Sequence, residues 1–255
     1  MPNTLIKSNT PRIIEVAKVE GEVYLNVAEM FSHTIQGEGI SIGAPATFLR
    51  LQNCTLDCVW CDSTEVWRSG SPYSVTELLD MMERSGVVTS FMNGHHLILT
   101  GGSPMLQQTK LVQLIFEFRK RFGFKPYIEI ENEAVIQARP EFEFLVDQWN
   151  NSPKLSNSGM KLASRYKPEV LANLGKLSNS WFKFVIDSES DWLEIESNFI
   201  QPGLIRYDQI ILMPKGQTRE ELYLTRELTV DLCIKYNVRF SDRLHVTVWD
   251  KKTGV

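Results

Sequence analysis

Between residues 47 and 249 short apolar runs alternate with longer amphipathic segments, and this alternation limits the fold more than any other feature. Runs rich in Ile, Val, Phe and Leu at 47–51 (TFLRL), 96–99 (HLIL), 127–130 (YIEI), 181–186 (WFKFVI), 209–212 (QIIL) and 244–249 (LHVTVW) predict strands. Helices are predicted at 75–84, with Ser74 as its N-cap, and at 105–121, where Leu106, Leu111, Leu114, Ile115 and Phe118 recur at helical spacing. Two more are predicted at 192–199 and 219–236. Strand–helix alternation predicts an α/β fold with a mainly parallel sheet. In such folds chemistry gathers at the C-terminal ends of the strands.

Two stretches sit at such ends. NCTLDCVWC (53–61) follows TFLRL, and GGSP (101–104) follows HLILT. The first holds Cys54, Cys58 and Cys61, three of the chain's four cysteines, spaced C-x3-C-x2-C. Three thiolates on one loop can hold three corners of an iron–sulfur cubane, leaving one iron open. Structural zinc takes four ligands, and a zinc site needs His33, His95, His96 or His245 to complete it. Cys233, between Leu232 and Ile234 on a predicted helix, reads as a small buried hydrophobe. A disulfide with a spare thiol is the weakest alternative.

Composition narrows the classes. The chain has 255 residues, 43% hydrophobic and 23% charged, with a formal net charge of −4. That suits one globular domain and gives no reason to expect general adhesion to nucleic acid or to an anionic membrane. No apolar run approaches the roughly eighteen residues of a membrane span, and the polar start lacks a signal-peptide core. The expectation is a single cytoplasmic domain spanning 1–255, with residues 1–25 as a loosely attached extension. In that compartment clustered thiols bind metal or do redox work.

The cysteine spacing resembles that of the radical S-adenosylmethionine (SAM) enzymes, as does Trp60, the aromatic residue just before the third cysteine. The resemblance implies a partial, modified TIM-like (β/α) barrel. It also implies a 4Fe–4S cluster whose open iron binds the amino and carboxylate groups of SAM, and reductive cleavage to a 5′-deoxyadenosyl radical. Trp60 would lie near the adenine. GGSP resembles that family's GGEP-like step, so Gly101, Gly102 and Ser103 are expected at the SAM amino group. Serine brings no charge there, and Ser103→Glu is expected to retain or tighten SAM binding.

Upstream, Gln36 and Glu38 alternate with Gly37 and Gly39. An amide and a carboxylate two residues apart on extended backbone can face one site, and together they suit the edge of a guanine-like or pterin ring. A polar hairpin turn is the plain alternative. Arg50 offers a cation to a substrate carboxylate. TIQGEG, FLRL and CxxxCxWCDS together resemble the 7-carboxy-7-deazaguanine synthase family. So does the ending LHVTVWDKKTGV, and the resemblance covers nearly the whole chain from about Val27 onward.

That resemblance implies conversion of 6-carboxy-5,6,7,8-tetrahydropterin to 7-carboxy-7-deazaguanine and ammonia. It further implies Mg²⁺ with Ser63 as a ligand, SAM contacts from Ser152, Lys154 and Glu131, and substrate contacts from Gln36, Glu38, Arg50, Thr100, His245 and the Val255 carboxylate. Asp62 is assigned no contact, and Met213 stands where some members place a SAM-contacting glutamine. A homodimer and a flavodoxin- or ferredoxin-like electron donor are implied as partners. Two rivals share the cysteine loop: an activase making a glycyl radical on a partner protein, and a zinc-binding interaction module. The activase has no use for Gln36, Glu38 and Arg50, and metal analysis, iron and sulfide against zinc, separates the module.

Replacing Cys54, Cys58 or Cys61 with alanine should abolish iron and sulfide content in anaerobically isolated protein. Cys233→Ala should leave both intact, and loss of iron from a folded Cys233→Ala protein would refute the assignment.

Overall fold

The computed structural model describes residues 3–7, 21–252 and 254. In chain order these form β1 (Asn3–Lys7), β2 (Tyr24–Ile35), β3 (Pro45–Leu51), α1 (Thr64–Trp67), β4 (Ser71–Ser74), α2 (Val75–Arg84), α3 (Val87–Met92), β5 (His96–Gly101), α4 (Gln108–Phe122) and β6 (Tyr127–Asn132). There follow α5 (Pro140–Leu145), β7 (Gln148–Asn151), α6 (Leu162–Arg165), α7 (Pro168–Gly175), β8 (Ser180–Ile186), α8 (Glu189–Ile195), β9 (Ile210–Pro214), α9 (Arg219–Tyr236), β10 (Arg239–Phe240) and α10 (Leu244–Trp249). Part of the expected N-terminal extension thus contributes strand β1. Val255 lies outside the described residues.

The strands make one sheet in the order β1-β2-β3-β5-β6-β7-β8-β9-β10, with β4 paired to β2. From β3 to β10 every pairing is parallel, while β1 and β4 join β2 antiparallel, as β2 joins β3. Residues of β2, β3, β5, β6, β8 and β9 line a single cavity, so the sheet is curved around it. The order does not return on itself. This is the mainly parallel sheet that the alternation predicts, in the partial, open (β/α) barrel that the resemblance implies.

Period-two patterning sorts the side chains between two faces. Ile128 and Ile130 of β6, Trp149 of β7, and Phe182, Phe184 and Ile186 of β8 point outward into a core completed by the helices. Leu78 and Met82 of α2, Leu111, Leu114 and Phe118 of α4, Leu171 of α7 and Trp192 of α8 meet them there. Except for Val185, the intervening residues are polar and face the concave side: Glu129 and Glu131, Gln148 and Asn150, and Lys183. Local signals set the helix ends. Ser74 and Glu77 close a reciprocal capping box on α2, at 2.7 and 3.1 Å. Gly123, at φ 81°, ends α4.

Some expectations shift. The helix predicted from residue 105 begins as a 3₁₀ turn, Pro104–Gln107, before α4. The one predicted at 192–199 starts earlier, as α8, and ends in a π-turn, Glu196–Ile200. The segment at 244–249 is a helix, not a strand. Its β-branched residues report a preference for pleated surfaces that tertiary context overrides. The Leu244 N–H donates to the Gly37 carbonyl at 2.8 Å, and Thr247 and Asp250 close helical bonds to Arg243 and Val246. Docking on the 36–39 turn therefore decides the conformation. No helix among the described residues is long and apolar enough to cross a membrane.

Gly101 has φ +140°, and a Cβ there would lie 2.1 Å from the Leu51 carbonyl oxygen; Gly94, at φ +89°, has open space. Both lose backbone freedom on substitution, but only Gly101→Ala also collides with backbone. Gly101→Ala should therefore lower the urea midpoint well beyond Gly94→Ala, whose strain costs about 1–3 kcal/mol. Equal midpoints would contradict this packing.

Candidate active site

The cysteine loop and the glycine step are zipped together at the ends of β3 and β5. The Gly102 N–H donates to the Leu51 carbonyl at 3.3 Å, and the Ser103 N–H to the Asn53 carbonyl at 2.8 Å. A Cβ on Gly102 would fall 2.2 Å from the Asn53 oxygen and 2.7 Å from the Cys54 Cβ. The two glycines are thus demanded by the chain's own backbone, whatever ligand they also approach.

Cys54, Cys58 and Cys61 are half-buried, unbridged, and share one cavity of about 760 Å³, a volume typical of small-molecule sites. Burial pushes the Cys54 thiol up to about 11, with the charge of Glu133 adding to it. Burial also pushes Cys58 up. It works the same way on Cys61, but hydrogen bonds from Thr64, Trp67 and Ser63 overcome it and hold that thiol below its ordinary value. The indole of Trp67 donates to Cys61 Sγ at 3.5 Å, and Ser63 Oγ lies 3.7 Å from it. Cys233 is buried in the core as the sequence predicts, donating to the Arg239 carbonyl at 3.4 Å.

Around the thiols, Lys154 Nζ donates to Ser152 Oγ at 2.8 Å and lies 5.2 Å from the Trp60 ring centroid. Trp60 is steadied by Asn157, whose Oδ1 accepts from its indole at 3.2 Å. Ser103 does not present its hydroxyl to the cavity. It is fully buried and donates to Glu133 Oε1 at 2.5 Å. A glutamate at 103 would set two carboxylates against each other there, which removes the expectation that Ser103→Glu tightens binding.

The other end of the cavity is a charge network. Lys183 donates to Glu38 at 2.5 Å and to Glu131 at 3.0 Å. Arg243 pairs with Glu38 at 3.0 Å and with Asp62. Asp62 therefore has a partner that the sequence did not assign to it. Gln36 donates to Glu131 at 3.0 Å and to Glu129 at 3.3 Å. Gln36 and Glu38 do face one site, and both already have protein partners. Arg50 pairs with Glu29 at 2.8 Å while still lining the cavity, as does Thr100. His245 packs on Gly37, where a Cβ would lie 2.2 Å from Nδ1, and its Nε2 is 3.8 Å from Glu38. Glu131 lies in this charged end, with Lys183, Gln36 and Asn150 as its partners.

Burial raises the pKa of Glu38, but Lys183 and Arg243 carry it well below the ordinary carboxylate value. Glu131 is held above its ordinary value by burial and by the charge of Glu38, against the pull of Lys183. Burial disfavours the Lys183 and Arg243 cations, yet their carboxylate partners hold both more firmly protonated than usual. Burial holds His245 below its ordinary value.

The region 35–138 matches a family described as the 4Fe-4S single cluster domain. The chain is 30% identical over 246 residues to the 7-carboxy-7-deazaguanine synthase of Halobacterium salinarum, covering 89% of this chain and 91% of that one. It is 29% identical over 232 residues to the enzyme of the same name from Pyrobaculum aerophilum, covering 90% and 97%. This chain belongs to the 7-carboxy-7-deazaguanine synthase family. The crystal structure of QueE from Escherichia coli shares the fold, with a TM-score of 0.64 and 23% identity over 87% of this chain and 95% of that one.

A 4Fe–4S cluster and SAM are the cofactors of this radical SAM enzyme, and the residues present suit both. The three thiols line one wall of the cavity, with the carboxylate of Glu133, the Lys154 ammonium and the half-buried face of Trp60 within the same space.

Lys183→Met should be costly, because it leaves Glu38 and Glu131 uncompensated. Removing one partner of a buried pair costs about 3–5 kcal/mol. Lys183 pulls the pKa of both carboxyls down in the native protein; without it burial and mutual repulsion push both up, so the variant regains stability as pH falls through those raised folded values toward the unfolded carboxylate range. The variant's deficit against native protein, measured by urea unfolding, should therefore shrink as pH falls toward that range. A deficit that grows with acid would contradict this.

Proposed function

We propose that this chain converts 6-carboxy-5,6,7,8-tetrahydropterin to 7-carboxy-7-deazaguanine and ammonia, with SAM regenerated in each turnover. The carrying observation is one cavity with three thiols at one end and a fixed network of donors, acceptors and charges at the other. Bound at the thiol end, the cluster and SAM supply the radical chemistry that removes and later returns the hydrogen at C6. Cys54, Cys58 and Cys61 hold the cluster. Gly101 and Gly102 present backbone, Trp60 presents a flat face to the adenine, and Ser152 and Lys154 meet the polar end of SAM.

At the other end Gln36, Glu38 and His245 address the edge of the pterin ring. Thr100 and Arg50 approach from the neighbouring strands, with Arg50 exchanging Glu29 for the substrate carboxylate. Glu131 keeps a proton more readily than its neighbours and can exchange one with a ring nitrogen. Arg243 and Lys183 fix the carboxylates before substrate arrives, so little reorganisation remains at binding. Ser63, whose hydroxyl lines the cavity beside Cys61, would supply one oxygen to Mg²⁺, and the ion would help neutralise the substrate carboxylate.

The enzyme works as a cytoplasmic homodimer fed by a flavodoxin- or ferredoxin-like donor. Unbridged cysteines fit a reducing compartment. Exposed Tyr223, Leu224 and Ile234 on α9 fit a surface that a second copy covers.

Anaerobic, cluster-loaded protein given reductant, Mg²⁺, SAM and the pterin should form product in molar excess over the SAM supplied. Stoichiometric SAM cleavage without deazaguanine would refute the proposal.

A further inference from the structure

Glu133 is the carboxylate at the thiol end that no reading of the motifs assigns. Its side chain is 5% exposed. One oxygen, Oε1, accepts from Ser103 Oγ at 2.5 Å and from Thr55 Oγ1 at 2.8 Å. The other, Oε2, is buried and has no hydrogen-bond partner among the described residues. A buried carboxylate oxygen left unmet is costly, and native proteins rarely leave one so without a use.

The backbone holds Glu133 in this position deliberately. The next residue, Ala134, is in the left-handed region at φ 61°. Its N–H donates to Asn132 Oδ1 at 3.0 Å, while Asn132 Nδ2 donates to Asn151 Oδ1 at 2.9 Å. A residue with a Cβ adopts that conformation only where its surroundings enforce it. The turn therefore aims Glu133 at the space shared by Cys54, Gly102, Ser152 and Lys154. Lys154, the cation of that space, is directed at Ser152 and the Trp60 ring. What Glu133 lacks is a cation carrying several N–H donors, and the α-ammonium of SAM is one.

We propose that Glu133, acting from the end of β6, is the anionic anchor for the SAM α-ammonium group. Ser103 is a positioning residue that orients the carboxylate through its hydroxyl. The charge absent from the glycine step is thus carried by the neighbouring strand. This rests on the SAM-dependent reading given above.

Calorimetry on anaerobic, cluster-loaded protein tests it, using S-adenosylhomocysteine and its desamino analogue as probes beside SAM. Glu133→Gln keeps the shape and removes the charge. It should weaken SAM and S-adenosylhomocysteine roughly ten- to a hundredfold, the usual effect of losing a charged hydrogen bond, and leave the desamino analogue unchanged. Iron content should match the native protein. Ser103→Glu alone should also weaken SAM, whereas Ser103→Glu combined with Glu133→Ser moves the carboxylate across the contact and should restore most of the affinity. Unchanged S-adenosylhomocysteine binding in Glu133→Gln, or equal loss for both probes, overturns the anchor while leaving the enzyme assignment standing. Failure of native, cluster-loaded protein to bind SAM overturns both.

Discussion

Lys183 is the residue on which the concave face depends. It stands at the middle of β8, inside a curved sheet, and is bracketed by carboxylates from the 36–39 turn and from β6. Two buried carboxylates so close would repel each other without it, and a buried lysine would shed its proton without them. Arg243 repeats the arrangement between Glu38 and Asp62, joining the cysteine loop to the segment before α10. The two cations thereby connect the 36–39 turn, the cysteine loop, the middle strands and the C-terminal helix. Such a network contributes little net stability and a great deal of position. That is what a site needs if its partners are to be fixed before a ligand enters.

The two ends of the cavity follow different physical rules. At the thiol end backbone does most of the work. Glycines allow β5 to close against the cysteine loop, and the residues around Cys61 lower its thiol while burial raises the other two. At the charged end side chains saturate one another. A substrate entering there must exchange partners one for one, which favours a ligand with a matching set of donors and acceptors over an apolar one.

Much of this was legible in the sequence, for identifiable reasons. The cysteine spacing and the glycine step are local, and strand–helix alternation placed both at strand ends. What escaped was the pairing between distant segments. Lys183 sits in WFKFVI, which reads as a plain apolar strand. Period two already puts it opposite Phe182 and Phe184, and a lone lysine among buried residues was the available signal. Glu129 and Glu131 in YIEIEN carried the same signal. Arg243 gave none, because its partners lie near residues 38 and 62. Glu133 in ENEA (131–134) gave no signal either, although it faces the very serine that stands in the usual acidic position. The strand expected at 244–249 failed because VTV alternation cannot register the Gly37 carbonyl that starts a helix there.

The central claim is that the charged end of the cavity is the pterin site and the thiol end the SAM site. An anaerobic crystal structure of the cluster-loaded enzyme with SAM and the tetrahydropterin bound tests it most directly. The account predicts SAM against Gly101, Gly102 and Lys154, and the pterin ring edge within hydrogen-bond distance of Gln36 and Glu38. A pterin bound elsewhere, with Gln36 and Glu38 still paired only to protein, would contradict it.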